Sequence, residues 1–140
     1  MYRILVPVDG SEAALRALGY AMRLERLIAQ AQIDLVNVQP PISGSVGAFV
    51  GNQSIAEFHQ DESENALAAA RELLESEGVP VHSAMRIGSA GQAIVDYAQE
   101  LACDQIVMGT RGLGRVGSLV LGSVATQVVQ LAQVPVTLVK

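Results

Sequence analysis

Apolar positions along the chain switch repeatedly between two patterns. Short apolar or alternating runs at Arg3–Val8 (RILVPV), Ile33–Val38 (IDLVNV), Val79–Met85 (VPVHSAM), Gln105–Met108 (QIVM) and Val134–Val139 (VPVTLV) predict five strands. The segments between them carry helical spacing. In the first, the polar stripe Glu12, Arg16, Gly19, Arg23, Arg26 and Gln30 recurs every three or four residues on an otherwise apolar helix. A second helix is expected over Asp61–Glu77, ended by Gly78 and Pro80. A third buries Ala90, Ala93, Ile94, Tyr97, Ala98 and Leu101, and Ser89 with Gln92 has the form of a capping box at its start. A fourth buries Leu121, Val124, Ala125, Val128 and Leu131 and stops before Pro135.

Five strands alternating with four helices predict one α/β domain over residues 1–140. The expected architecture is an open, Rossmann-like parallel five-stranded sheet of order 3-2-1-4-5 with helices on both faces. One connection departs from this economy. Gln39–Ser54 (QPPISGSVGAFVGNQS) is uncharged, rich in Pro, Gly and Ser, and too long for a tight loop, so it reads either as a mobile lid or as a disordered insertion.

Composition narrows the class. Half of the 140 residues are apolar and 16% are charged, the signature of a packed core. No apolar run reaches membrane-spanning length and the N-terminus lacks a signal-peptide pattern, so a cytoplasmic location without a membrane partner is expected. Cys103 stands alone and reads as a packing residue, as do His59 and His82, which have no metal-ligand spacing. A net charge of −5 with 4% aromatics argues against nucleic-acid binding. The distribution of charge is more telling. From Gln105 to Lys140 there is no acid, while Arg111, Arg115 and Lys140 are cationic; all 14 acidic residues lie before that stretch. An anion is favoured in the acid-free third.

That third holds Met108–Ala125 (MGTRGLGRVGSLVLGSVA), with glycines at 109, 112, 114, 117 and 122 directly after a predicted strand. Open α/β sheets bind ligands at such carboxyl ends. A Walker loop fails, because the chain's one lysine is Lys140. The GxGxxG match at Gly112–Gly117 lacks the following acid that would hold a ribose. The pattern G-x2-G-x9-G-[ST] is satisfied in full by Gly109, Gly112, Gly122 and Ser123. In this arrangement Gly109 and Gly112 turn the chain out of the strand and keep Cβ atoms from a sugar or phosphate. Gly122–Ser123 then open the fourth helix, whose free N–H groups and dipole favour phosphate oxygens.

This pattern resembles the nucleotide motif of the universal stress protein family. The likeness extends over the whole chain, through ILVPVDGSE at Ile4–Glu12, DLVNV at Asp34–Val38, DQIVMGTRG at Asp104–Gly112 and the terminal VPVTLVK. The resemblance implies a site for ATP, with Mg2+, formed by Pro7, Val8, Asp9, Val38, Met108, Gly109, Arg111, Gly112, Gly114, Gly122, Ser123 and Val124. Backbone groups near Val38 and Met108 would hold adenine, Gly109 the ribose, and Gly112, Gly122, Ser123 and Val124 the phosphates. Asp9 would reach the ribose or the metal-phosphate region, or else cap the first helix. Arg111 and Arg115 either neutralise phosphate or are ordinary solvated arginines.

A regulatory nucleotide-dependent switch is therefore expected, without catalytic residues and without a metal ion of its own. The alternatives are a slow ATPase or an interaction module of the same fold that binds no nucleotide. A phosphorylated receiver domain shares the architecture but needs clustered acids after the first strand, where only Asp9 stands. A homodimer through the edge strand Val134–Val139 is also expected, since both of its faces read as buried and no charge blunts its edge.

Overall fold

The structure, a computed structural model, describes residues 1–42, 54–111 and 121–140. Its strands are β1 (Tyr2–Pro7), β2 (Ala31–Gln39), β3 (His82–Ile87), β4 (Gln105–Gly109) and β5 (Val136–Val139). Its helices are α1 (Glu12–Leu27), α2 (Ile55–Ser76), α3 (Ala90–Glu100) and α4 (Ser123–Leu131). The sheet is wholly parallel with order β3-β2-β1-β4-β5, as the strand–helix alternation implies.

β1 lies at the centre, with Ile4 opposite Ile33 of β2 on one side and Gln105 of β4 on the other. Its side chains alternate between two cores. Ile4 and Val6 join Ile33, Leu35 and Val107 beneath α1 and α2. Leu5 joins Val36, Ile106 and Met108 beneath α3 and α4. Burial on both faces is why RILVPV reads as a continuous apolar run and not as an alternation.

Several boundaries differ from the sequence expectation. α2 begins at Ile55 and not Asp61, because Ser54 caps it by accepting the Glu57 N–H at 3.0 Å. Its other end is a Schellman closure: Gly78 takes φ +71°, and the Gly78 and Val79 N–H groups donate to Glu75 and Leu74. That closure consumes Val79, and Pro80 has no N–H to pair, so β3 starts only at His82. Ser89 does stand at the start of α3, yet its side chain makes no cap bond, and Gln92 donates instead to Asp96 one turn on. On α4, Ala125 and Val128 are buried but Leu131 is 38% exposed. β5 is half-buried along its whole length, less covered than expected, because an edge strand has a neighbour on one side only. Among the described residues no helix is long and apolar enough to cross a membrane.

The helices pack closely at two glycines. A Cβ on Gly109 would lie 2.9 Å from the Ala13 Cβ and 3.0 Å from its carbonyl oxygen. The missing side chain thus admits the first turn of α1 against the end of β4. Gly109 is not among the positive-φ residues, so it is helix packing that demands glycine here, not a tight turn. Gly91 of α3 likewise faces the Gln127 side chain of α4. Gly109→Ala is expected to force α1 off the sheet at an overpacking cost of about 1–3 kcal/mol, lowering Tm by roughly 3–10 °C. Gly19→Ala, on α1 with open space around it, should instead raise Tm slightly. Thermal melts of the two variants side by side check both signs.

Candidate functional site

The two central strands end side by side and their chains then part. β1 runs through Val8 and Asp9 to Gly10, whose φ of +87° throws the chain toward α1. Ser11 caps that helix, its hydroxyl accepting the Ala14 N–H at 3.2 Å. Asp9 is therefore not the cap; one of its oxygens accepts the Ser11 N–H at 3.0 Å. The other has no partner among the described residues. β4 leaves the sheet after Gly109, with the Thr110 N–H still donating to Val139. The chain then returns at Gly122, whose N–H donates to the Thr110 carbonyl at 2.7 Å. That bond joins the start of α4 to the end of β4.

Between the parting chains lies a cavity of about 640 Å³, within the size range of small-molecule sites. It is lined by Pro7 at the end of β1 with Val8 and Asp9 after it, Val38 of β2, and Met108, Gly109 and Arg111 at and just after the end of β4. Gly122, Ser123 and Val124 at the start of α4 complete the set. Gly112 and Gly114, with Arg115 and Gly117, lie outside the described residues. Sequence reasoning missed the rest of the wall: Ala14, Val36, Ala90, Ile94, Leu121 and Ala125 add apolar surface, and Ser11 and Thr110 line it as well. Ala90 and Ile94 sit four apart on α3, a signal that had pointed only to core packing.

The polar resources of the cavity are few and particular. Gly122 stands at the N-cap of α4 and offers no side chain. The first intrahelical bond runs from the Thr126 N–H to the Gly122 carbonyl. The N–H groups of Ser123, Val124 and Ala125 thus have no partner among the described residues. α1 and α2, by contrast, are capped by their own serines, while α3, whose Ala90 also lines the cavity, lacks a side-chain cap bond as α4 does. An uncapped N-terminus presents donors and the positive end of the helix dipole together. Arg111 is half-buried on the rim beside it, and Asp9 is the one carboxylate lining the cavity among the described residues. The Ser123 hydroxyl is exposed at the same place.

Other candidate groups lie elsewhere. Cys103 is 5% exposed in the core beneath α3 and α4, where burial pushes its thiol up to about 11, so it packs and is no nucleophile at neutral pH. His59 is buried on α2 with its Nε2 3.0 Å from the Pro40 carbonyl, and His82 is exposed on β3.

This arrangement has relatives. The family model described as the universal stress protein family matches residues 1–140. Universal stress protein MJ0531 of Methanocaldococcus jannaschii is 33% identical over 144 residues, covering 99% of this chain and 81% of its own. The solved structure of MJ0577, also from M. jannaschii, superposes with a TM-score of 0.82 at 28% identity, covering 99% of this chain and 95% of that one. A universal stress protein from Archaeoglobus fulgidus, solved in complex with dAMP, superposes with a TM-score of 0.70 at 25% identity, covering 100% and 98%. With the family model spanning its whole length, the chain belongs to the universal stress protein family.

Proposed function

We propose that the cavity binds an adenine nucleotide, ATP with Mg2+ in its fullest form, and that the protein acts as a nucleotide-dependent switch or sensor in the cytoplasm. The observation that carries this is the uncapped N-terminus of α4. Three backbone N–H groups without partners among the described residues, and the Ser123 hydroxyl, stand with Arg111 at a cavity with an apolar floor. Such a helix end is built for phosphate, and the floor formed by Val36, Val38 and Ile94 suits a flat base. The sequence Gly109-x2-Gly112-x9-Gly122-Ser123 and the dAMP-bound relative support the same ligand class.

Asp9 fits the ribose hydroxyls, or a Mg2+ that arrives on the phosphates. Rapid hydrolysis needs a group that orients the attacking water and a positioned charge on the transferred phosphoryl. Asp9 and Arg111 already serve ribose, metal and phosphate on this reading. Retention of the nucleotide, with slow turnover at most, follows. ATP with Mg2+ at about 100 times its dissociation constant adds about 2.7 kcal/mol, a rise in Tm of several degrees. NADH, whose second nucleoside the cavity has no acid to hold, should give a far smaller shift. A thermal-shift titration with ATP, AMP and NADH tests this; equal shifts with all three, or none, overturn it.

We also propose a homodimer through the terminal edge strand. The Ile106 N–H donates to the Pro135 carbonyl and the Thr110 N–H to the Val139 carbonyl, so these residues face β4. Alternation turns the N–H groups of Val136 and Leu138 outward. Val129 and Leu131 of α4, 47% and 38% exposed, lie in the chain segment just before this edge. Val136→Pro removes an outward donor and leaves the β4 pairing its own donors. Light scattering after size exclusion should give twice 14.7 kDa for the parent chain and 14.7 kDa for the variant. A monomeric parent at micromolar concentration refutes the proposal.

A further inference from the structure

The parallel ladder between β1 and β2 ends in an unusual way. The Val8 N–H donates to the Val36 carbonyl at 2.8 Å, in step with the register that sets Pro7 against Val36. The next rung of a parallel ladder would run from the Val38 N–H to the Val8 carbonyl. That rung is not made among the described residues. The Asn37 side chain takes its place, its Nδ2 donating to the Val8 carbonyl at 2.8 Å. Asn37 is 2% exposed, and its Oδ1 accepts the Gln39 Nε2 at 2.8 Å, which fixes the carboxamide in that orientation.

The consequence falls on Val38. The Gly88 N–H donates to the Gln39 carbonyl, so the backbone of Gln39 faces β3 and alternation turns that of Val38 toward β1. There β1 has ended, and Gly10 has carried the chain away. Among the described residues, neither the N–H nor the C=O of Val38 has a partner, and Val38 lines the wall of the cavity.

We infer that Asn37 is a positioning residue: by occupying the Val8 carbonyl it keeps the Val38 N–H and C=O free as a donor–acceptor pair for the base of the nucleotide. The inference rests on the nucleotide reading of the cavity. A paired donor and acceptor match the ring nitrogen and exocyclic amine on one edge of adenine. Guanine presents the reverse pattern there, an N–H donor and a carbonyl. Asn37 does not itself line the cavity, so its effect is confined to the base and leaves the phosphate end untouched.

Without the carboxamide, the Val8 carbonyl has the Val38 N–H as its register-matched partner, and the ladder closes over the base site. Asn37→Ala and the near-isosteric Asn37→Asp, which cannot donate while ionised, are compared with the parent chain by calorimetry using AMP and ribose 5-phosphate. Both variants should bind AMP about tenfold more weakly, the worth of one or two net hydrogen bonds, and ribose 5-phosphate within about twofold of the parent. Amide exchange adds a readout that needs no ligand: the Val38 N–H should exchange faster in the parent than in Asn37→Ala. Equal losses for both ligands would mean general disruption, and unchanged AMP affinity would mean no role; either overturns the inference. If the parent binds no nucleotide, the functional proposal falls. The Val38 amide then judges Asn37 alone, and equal exchange in the two proteins refutes the ladder argument.

Discussion

The approach of α1 to the end of β4, across the bare Cα of Gly109, fixes the rest of the site. With a Cβ at that position the Ala13 backbone would have to retreat. α1 would then lift from the sheet just where Ser11 and Asp9 enter it. Because α1 sits so close, the first turn of α1 lies against the end of β4, and the cavity lies where the chains of β1 and β4 part. The cavity is thus a product of strand order and one close contact. The strand order parts the chains, and the glycine keeps the floor between them narrow enough to be walled by Val38, Met108 and Ile94.

The two ends of the sheet treat their polar groups in opposite ways. At the amino end, Arg3 is bound on every side. Its guanidinium meets Asp34 at 3.1 Å and the Leu101 carbonyl at 3.2 Å, and its backbone N–H donates to Asp104. Asp34 is 4% exposed, so its charge must be paired where it stands. At the carboxyl end, donors and acceptors are left without partners among the described residues: the first N–H groups of α4, an oxygen of Asp9, and both backbone groups of Val38. Buried or half-buried polar groups without partners cost free energy unless something else satisfies them. Their concentration around one cavity, while Arg3 and Asp34 at the opposite end are paired, is what the proposed site draws on.

Much of this was legible in the residues, though not always for the right reason. Strand order followed from five apolar runs and four amphipathic helices, and the motif glycines marked the loop after β4. Gly109 was read as a glycine that turns the chain toward a ligand, whereas the contact that excludes a Cβ there is with Ala13 of α1, 96 positions away in sequence, and no local pattern carries that contact. The early start of α2 was hidden because Ile55–Gln60 mixes aromatic, charged and apolar residues without a clear period. The Ser54–Glu57 pair was the signal available. Asn37 was invisible for a deeper reason. A polar residue within an apolar strand reads as a surface position, whereas here it is buried and replaces a backbone rung. Substitution of side chain for ladder is a property of three dimensions alone.

Charge placement completes the logic of the site. The acids of the chain all precede Gln105, and the wall of the cavity supplied by β4 and α4 comes entirely from the acid-free remainder. A ligand phosphate near Ser123 therefore meets amide dipoles and Arg111 with no carboxylate from its own segment to oppose it. Asp9 stands across the crevice, on the β1 side. Opposite charge on opposite walls gives the cavity a direction: an anionic group is drawn to α4, and hydroxyls or a cation to Asp9. A molecule with a phosphate at one end, a sugar diol in the middle and a flat hydrogen-bonding base at the other satisfies all three regions at once. On this reading the nucleotide is held by geometry distributed over β1, β2, β4 and α4.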